Sequence, residues 1–264
     1  MPYRDYVEDR SHLMIRSSAP ESHASGLAVG RLEVWPPRSA RGKDVIRLID
    51  DSGFDVVIVR MSAEDFELSA ALHSDKFVSW QADTLLYFSV AAESLASEAA
   101  PDALVKMTLS DERDADVLVE RIFANYRNHY SANPALSRIN VVTAYQDWTR
   151  ASLGGAENAV YKALDTNGAA TGLCVIDIDD ESYDEVLLAG IVPEKRGQGE
   201  YQRVMKMVGA RAQAASKEAV VISTQAANVA VMRSWCRLGF LPIITLNTVH
   251  VVRRNIVDVA LGEN

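Results

Sequence analysis

The residues whose types and spacing most clearly suggest a chemical role form a glycine turn, Arg196-Gly197-Gln198-Gly199. The turn lies between an apolar stretch that ends at Val192 and a stretch with the pattern of an amphipathic helix. A strand that turns into a helix in this way leaves backbone N–H groups unpaired at the helix N-terminus, where the helix dipole also favours an anion. Glycine lets a phosphate approach the backbone closely, and the basic side chains of Lys195 and Arg196 can add charge-assisted contacts. The stretch predicts either a phosphate-binding loop or an ordinary surface turn.

Two common nucleotide motifs are missing from this turn. A P-loop requires Lys followed by Ser or Thr after its last glycine, and a dinucleotide fingerprint requires a third glycine or alanine where Gln202 stands. If the turn binds a phosphate, neither of these two motifs accounts for it.

Composition limits the possible partners. The 264 residues carry a formal net charge of -9, which opposes binding to nucleic acid and to anionic membranes, so a small ligand is expected. Cys174 and Cys236 lie far apart in apolar contexts, which argues against a disulfide framework or a metal site and indicates a reducing compartment, with the cytoplasm expected. No apolar run approaches the roughly 18 residues that a membrane span needs.

The chain is expected to have two α/β domains, 1–103 and 104–264, because the stretch 95–103 (LASEAAPDA) is small, acidic and broken by Pro101. In the first domain, strands and helices alternate and two separate strands close it at 78–80 and 84–90. In the second, two helices precede a hairpin signalled by Asn167-Gly168 and a third strand, so its sheet is mixed and partly antiparallel. A helix, a strand, another helix and a strand pair within 242–252 follow the glycine turn.

The same predicted order of secondary-structure elements occurs twice in the chain. Val56 to Phe77 (VVIVRMSAEDFELSAALHSDKF) and Val220 to Phe240 (VVISTQAANVAVMRSWCRLGF) each read as a buried strand, a turn, a helix and a phenylalanine that starts the next strand. Shared ancestry and two uses of a common unit remain alternatives. The first half has no counterpart of the glycine turn, so it can repeat the architecture without the ligand loop.

The order of elements over about 104–254, with the Arg196 to Gly199 turn and an Asn-led helix, resembles the GNAT superfamily of acetyl-CoA-dependent N-acyltransferases. The resemblance implies a GNAT-like mixed sheet flanked by helices, preceded by a smaller α/β half like a partial GNAT repeat. It also implies acetyl-CoA as co-substrate and no metal. The implied coenzyme contacts are Ile191 and Val192 along the strand, then Arg196, Gly197, Gln198, Gly199, Glu200 and Tyr201 around the pyrophosphate.

Further residues follow from the resemblance. Asn228 would open a helix beside the pantetheine arm, or only cap that helix, and Trp235 stands where the family usually has a tyrosine acid. An indole N–H does not serve as an acid, so Trp235 is either a coenzyme contact or, as the apolar spacing favours, a core aromatic beside Val231 and Leu238. The family also usually has Gly or Ala where Tyr201 stands.

Two catalytic candidates remain. Glu185 resembles the position of a glutamate base in some members, against the alternative of a solvent-facing charge, and His250 on the last strand can approach the acceptor, against a satisfied or exposed histidine. Tyr126, His129 and Tyr130 fall where the family lines its acceptor pocket, with loop packing as the alternative.

The sequence thus predicts transfer of an acetyl group from acetyl-CoA to a primary amine of a small polar metabolite. The nearest resemblance is to the dTDP-fucosamine acetyltransferase type, which suggests a nucleotide amino sugar. In the expected mechanism a main-chain N–H near Ile191 polarises the carbonyl and Glu185 relays the proton. The alternatives are a non-catalytic acyl-CoA-binding or protein-interaction module, and transfer to a hydroxyl or a peptide amine. A homodimer is left open.

Overall fold

The structure is a computed structural model that describes residues 3, 13–34, 42–96 and 103–261. The sequence also predicts a short strand at 32–35. Its last residue, Trp35, and the interior of the linker expected at 95–103 lie outside the described residues.

The chain folds into two compact units whose segments interleave along the sequence. Unit 1 is Met1–Asp5, Leu86–Tyr126 and Val141–Ile244, and unit 2 is Tyr6–Leu85, Arg127–Asn140 and Thr245–Asn264. The boundary expected near residue 103 falls within unit 1, and the division into domains at that point stays a prediction.

Unit 2 contains a short mixed sheet with helices. Its strands are β1 (Arg16–Ser17), β2 (Val29–Val34) and β3 (Val56–Ser62), its helices are α1 (Ala19–Ser25), α2 (Gly42–Asp51), α3 (Phe66–Ala71) and α9 (Arg254–Leu261), and it shares β4 (Phe77–Ala91) and β10 (Leu241–Arg253) with unit 1. The strand order is β1-β2-β3-β10-β4. β2 is parallel to β3 along its whole length, from Val29↔Val56 to Val34↔Met61. The apolar side chains of this sheet, α2 and α3 form one core.

Unit 1 is built on a second run of strands. After α4 (Ala92–Leu95) come β5 (Leu104–Lys106), α5 (Glu112–Phe123), α6 (Val141–Leu153), β6 (Asn158–Leu164), β7 (Ala170–Asp177), β8 (Tyr183–Ile191), α7 (Glu200–Ala214), β9 (Ala219–Gln225) and α8 (Val229–Arg237). The strand order is β4-β9-β8-β7-β6-β5, with β5 to β8 antiparallel and β8 parallel to β9. One core lies between the sheet and α7 and α8, and another between the sheet and α5 and α6.

This architecture confirms the predicted mixed, partly antiparallel GNAT-like sheet flanked by helices. The repeat also has a structural counterpart: β3 is followed in sequence by β4 but pairs with β10, and β9 is followed by β10 but neighbours β4. Each strand-helix-strand segment therefore places its last strand away from its own first strand.

Two expectations about strands are wrong. The stretches 78–80 and 84–90 form one 15-residue strand, β4, and the strand pair expected within 242–252 is the single strand β10. The polar residues between the first two stretches suggested a turn, but Gln81 Nε2 instead donates to Thr84 Oγ1 (3.0 Å) and Asn247 Oδ1 (3.2 Å) along the sheet.

Candidate functional site

The glycine turn between β8 and α7 presents open backbone. Gly197 and Gly199 have φ of 74° and 79°, the left-handed region that glycine tolerates, and a Cβ on either would meet no atom within 4 Å. Arg203 N–H donates to Gly199 O (3.0 Å), whereas the amides from Gly197 to Gln202 find no acceptor among the described residues. The turn has unpaired amides and free space at a helix N-terminus, which is the geometry of an anion site.

The basic side chains of the turn already have protein partners. Arg196 donates from Nε to Ile191 O (3.1 Å) and from Nη2 to Ile122 O (2.6 Å), so it ties the end of β8 to α5. Lys195 Nζ lies 3.2 Å from Asp165 Oδ2. The backbone of the turn, more than these side chains, is therefore the part available to an anion.

Glu200, the first residue of α7, places a negative charge next to this anion site. Its Oε1 lies 2.6 Å from Arg203 Nη2, and this hydrogen bond, with a further one from Thr171, lowers the pKa of Glu200. The partners of the carboxylate offset its repulsion of an anion at the turn.

β8 and β9 separate before they reach the turn. Their ladder runs from Tyr183↔Ala219 to Val186↔Ile222 and ends there, although β8 continues to Ile191, and the register of β8 with β7 shifts beside Val186. A bulge of this kind bends a strand away from its neighbour. Beyond it, β8 has an edge that is not paired with β9.

That edge offers hydrogen-bond donors. Val192 N–H donates to Thr171 O on β7 (3.0 Å), and the N–H groups of successive strand residues point to opposite sides. Ile191 N–H and Ala189 N–H therefore point toward the β9 side, past the end of the ladder. This matches the orientation expected for a main-chain donor near Ile191; its contact with a ligand stays a prediction.

Tyr201 and Trp235 meet across this opening. Trp235 Nε1–H donates to Tyr201 Oη (3.1 Å), which joins the first turn of α7, after β8, to α8, after β9. Burial raises the pKa of Tyr201, and the nearby Cys174 and Tyr126 side chains raise it further. Tyr201 thus links the two helices that follow β8 and β9.

The alternative for Trp235, a core aromatic, is confirmed. Trp235 is buried, its ring centroid lies 5.3 Å from that of Phe88 and 6.1 Å from that of Phe240, and Val231 and Leu238 pack against the same core. The coenzyme contact expected of Trp235 stays a prediction.

Two polar residues lie near the ends of β8 and β9. Asn228 occupies the N-cap position of α8 but its side chain makes no capping bond; Nδ2 donates to Thr224 Oγ1 (3.1 Å). Tyr126 Oη donates to Gln225 Oε1 at the end of β9 (3.2 Å). Both residues are in unit 1 with the glycine turn, and their ligand contacts stay predictions.

Glu185 lies next to the start of the opening, one residue before the ladder ends. It is 2% exposed, so the alternative of a solvent-facing charge is wrong, and its Oε2 accepts the backbone N–H of Tyr3. A carboxylate in this place can take up a proton from an amine held beside it.

His129, Tyr130 and His250, the other predicted residues, lie together in unit 2. Asn133 Oδ1 accepts Ala135 N–H (3.0 Å), so its Nδ2 donates to His250 Nδ1 (3.2 Å). His250 Nε2–H then donates to His129 Nδ1 (2.9 Å). Both histidines are buried and neutral, so His250 is a satisfied core histidine, which was the alternative for it; its catalytic role stays a prediction.

Charges surround this histidine pair. Burial, followed by Arg31 and Arg60, lowers the pKa of His250 to about 3, and Glu21 opposes that shift in part. Tyr130 Oη donates to Glu21 Oε1 (2.7 Å), and Arg31 pairs with the same carboxylate, whose pKa falls to about 2. Tyr130 and His129 thus belong to a buried polar network, and their acceptor contacts stay predictions.

Sequence reasoning missed Tyr3, Tyr87 and Tyr183 around Glu185, and Glu21 and Arg31 in unit 2. Tyr183 lies two residues from Glu185 on β8, and that spacing could have shown that the two share a face. Tyr3 and Glu21 meet their partners Glu185 and Tyr130 across long sequence distances, so spacing gives no signal for these contacts. Among residues in the described ranges, no group of three His, Cys, Asp or Glu side chains is placed to hold a metal ion. The helices of those ranges include none with the length and apolar character of a membrane span.

Comparison with known proteins gives structural matches only. No family model matches the chain, and no curated protein does. A functionally unknown conserved protein from Staphylococcus epidermidis ATCC 12228 matches with a TM-score of 0.62 and 12% identity, over 96% of this chain and 97% of its own. A GCN5-related N-acetyltransferase from Kribbella flavida matches with 0.56 and 12%, over 85% and 81%.

A tandem GNAT protein from the clavulanic acid biosynthesis pathway matches with a TM-score of 0.51 and 16% identity, over 86% of this chain and 76% of its own. At these identities the likeness is one of fold. The chain has a GNAT fold, and one of its structural matches is a tandem GNAT protein.

Proposed function

We propose that this chain transfers an acetyl group from acetyl-CoA to a primary amine of a small polar metabolite in the cytoplasm. The observation that carries the proposal is the conjunction of an open glycine turn with an unpaired edge of β8 that leads to it. The GNAT fold of the chain supports it, since acyl transfer is the activity that the solved GCN5-related relatives are named for.

Different residues of unit 1 would bind the coenzyme and take part in the reaction. The amides from Gly197 to Gln202 would hold the coenzyme pyrophosphate, and the β8 edge at Ala189 and Ile191 would hold the pantetheine arm. The coenzyme supplies an activated acyl thioester when bound. A main-chain N–H near Ile191 would donate toward the developing oxyanion, and Glu185 would accept the amine proton at a carboxylate oxygen.

Glycine substitution provides a matched test of the loop. Gly199 and Gly168 both have φ of 79° and open space around the Cβ position, but Gly168 lies in the β6–β7 hairpin. Gly199→Ala and Gly168→Ala carry the same backbone cost, about 1 kcal/mol. We expect calorimetry to show one coenzyme A site per chain, weakened about 10-fold or more by Gly199→Ala and unchanged by Gly168→Ala, since a methyl group intrudes only at the turn.

Turnover distinguishes the enzyme from a binding module. Incubation with acetyl-CoA and a panel of amines, including nucleotide amino sugars, should release free thiol and an acylated product detectable by mass. Coenzyme binding without turnover on any amine, hydroxyl or peptide acceptor would favour the non-catalytic alternative. Equal loss of binding in both alanine variants would remove the loop from the coenzyme site.

A further inference from the structure

Tyr3 occupies the surroundings of Glu185. Its backbone N–H donates to Glu185 Oε2, and its ring centroid lies 5.6 Å from that of Tyr87 and 5.6 Å from that of Tyr183, with an interplanar angle of 71° to the latter. Offset and edge-on contacts at such distances are the favourable arrangements of aromatic pairs. One residue therefore contacts a carboxylate and two aromatic rings at once.

The side chains around Tyr3 share one face of the unit 1 sheet. Tyr183 and Glu185 are two residues apart on β8, and Val221 is the register partner of Glu185 on β9, so all three point to the same side. Tyr87 is on β4, the next strand. The ladder between β8 and β9 ends one pair beyond Glu185, at the start of the opening.

From the backbone nitrogen of Tyr3, Cα and Cβ lead to a phenol ring, which is the skeleton of a 2-arylethylamine. We infer that Tyr3 holds the place of the acceptor, and that the acceptor is a primary amine with an aromatic ring two carbons away. The inference rests on the proposed function and narrows its acceptor class. Glu185 receives the nitrogen, and Tyr87 and Tyr183 receive the ring.

At Glu185 the reaction would be a direct transfer of the acyl group from sulfur to nitrogen. The acceptor nitrogen bonds to the acyl carbon, the carbon–sulfur bond breaks, the amine gives one proton to Glu185, and solvent carries that proton to the departing thiolate. The products are an arylethyl amide and a free thiol. Since Tyr3 covers the same groups, it competes with the acceptor and raises its apparent KM.

The test uses the full chain with acetyl-CoA and three probe amines: tyramine, ethanolamine and glucosamine. Thiol release and product mass should show tyramine as the preferred acceptor, by about 10-fold or more in kcat/KM over ethanolamine, because only tyramine fills the aromatic site. Tyr3→Ala should lower KM for tyramine about 10-fold with little change in kcat, whereas Tyr3→Phe, which keeps the ring, should retain the high KM. Tyr183→Leu should reduce the kcat/KM preference for tyramine over ethanolamine about 10-fold, because it removes a ring contact that only tyramine makes, and this ratio does not depend on how tightly Tyr3 competes.

The outcomes separate the two proposals. Thiol release with glucosamine or ethanolamine but not with tyramine overturns the acceptor class and leaves acyl transfer standing. If no amine gives thiol release, the proposed function fails, and calorimetry with tyramine still tests the site: no tyramine binding to folded Tyr3→Ala overturns it. A KM for tyramine that is the same in wild type and Tyr3→Ala overturns the competition.

Discussion

Replacing Tyr201 by alanine should tighten coenzyme A binding about 10-fold. The phenol of Tyr201 accepts the indole N–H of Trp235 at 3.1 Å, and this bond spans the space between the chain segments that follow β8 and β9. Trp235 is 1% exposed, so its N–H has no ready exchange with water. We expect a ligand that enters between β8 and β9 to displace the phenol first and to break this bond.

The size of the effect follows from the cost of that displacement. Leaving a buried donor unsatisfied costs about 1–3 kcal/mol, and each 1.4 kcal/mol corresponds to a factor of ten in affinity. The closed arrangement therefore weakens the apparent affinity of wild type for the coenzyme by about 5- to 150-fold. In the alanine variant there is no ring to displace, so this penalty is absent.

Isothermal titration with coenzyme A measures the effect, and two variants calibrate it. Tyr201→Phe keeps the ring but loses the hydrogen bond, so its dissociation constant should lie between those of wild type and Tyr201→Ala. Tyr161→Ala removes another buried tyrosine from the same core, on β6, and should leave the constant unchanged once circular dichroism shows that it is folded. Weaker binding by Tyr201→Ala than by Tyr161→Ala would refute the reasoning and make the Tyr201 ring a contact surface for the coenzyme.

Two further predictions concern protons. Glu185→Gln should lower the acylation rate most strongly below the pH optimum, where the amine most needs a base; an unchanged pH–rate profile would remove Glu185 from the reaction. His250 has a pKa of about 3 in the folded chain and about 6.5 in the unfolded chain, so between these pH values the unfolded chain binds more protons. The free energy of unfolding should therefore fall by about 1.4 kcal/mol for each pH unit as the pH drops below 6.5. Urea titrations at pH 7, 6 and 5 should show a flatter pH dependence for His250→Gln, by about one proton; the same slope in both proteins would mean that another group causes it.

Helices with clear boundaries and the glycine turn could be predicted from the sequence. The pattern of 42–51 predicts a helix, and that stretch is α2; the helix expected after Gly199 begins at Glu200. Both have periodic apolar residues and a glycine at their start. The extent of the long strands was harder to predict. Gln81 and its neighbours have turn-forming character, yet β4 runs through them because cross-strand partners at Asn247, far away in the sequence, satisfy their side chains.

The burial of the ionisable side chains Glu185 and His250 could not be predicted from the local sequence. Glu185 stands in an acidic run, DDESYDE, that reads as a solvated surface, and His250 alternates with valines as an exposed strand residue would. Both are buried, because Tyr3 donates to one and the His129 side chain contacts the other. These partners come from distant segments, so no periodicity or spacing reports them.

The strands that precede the two copies of the strand-helix-strand segment differ in how far they pair with the first strand of each copy. In unit 2 the parallel ladder of β2 and β3 covers the whole of β2, from Val29 to Val34, whereas in unit 1 the ladder of β8 and β9 stops at Val186. Within the described residues, β2 therefore has no unpaired edge toward β3 for an extended ligand, whereas β8 has such an edge toward β9 beyond Val186. We therefore expect the bulge next to Val186, together with the glycine turn, to set the place of coenzyme binding in unit 1.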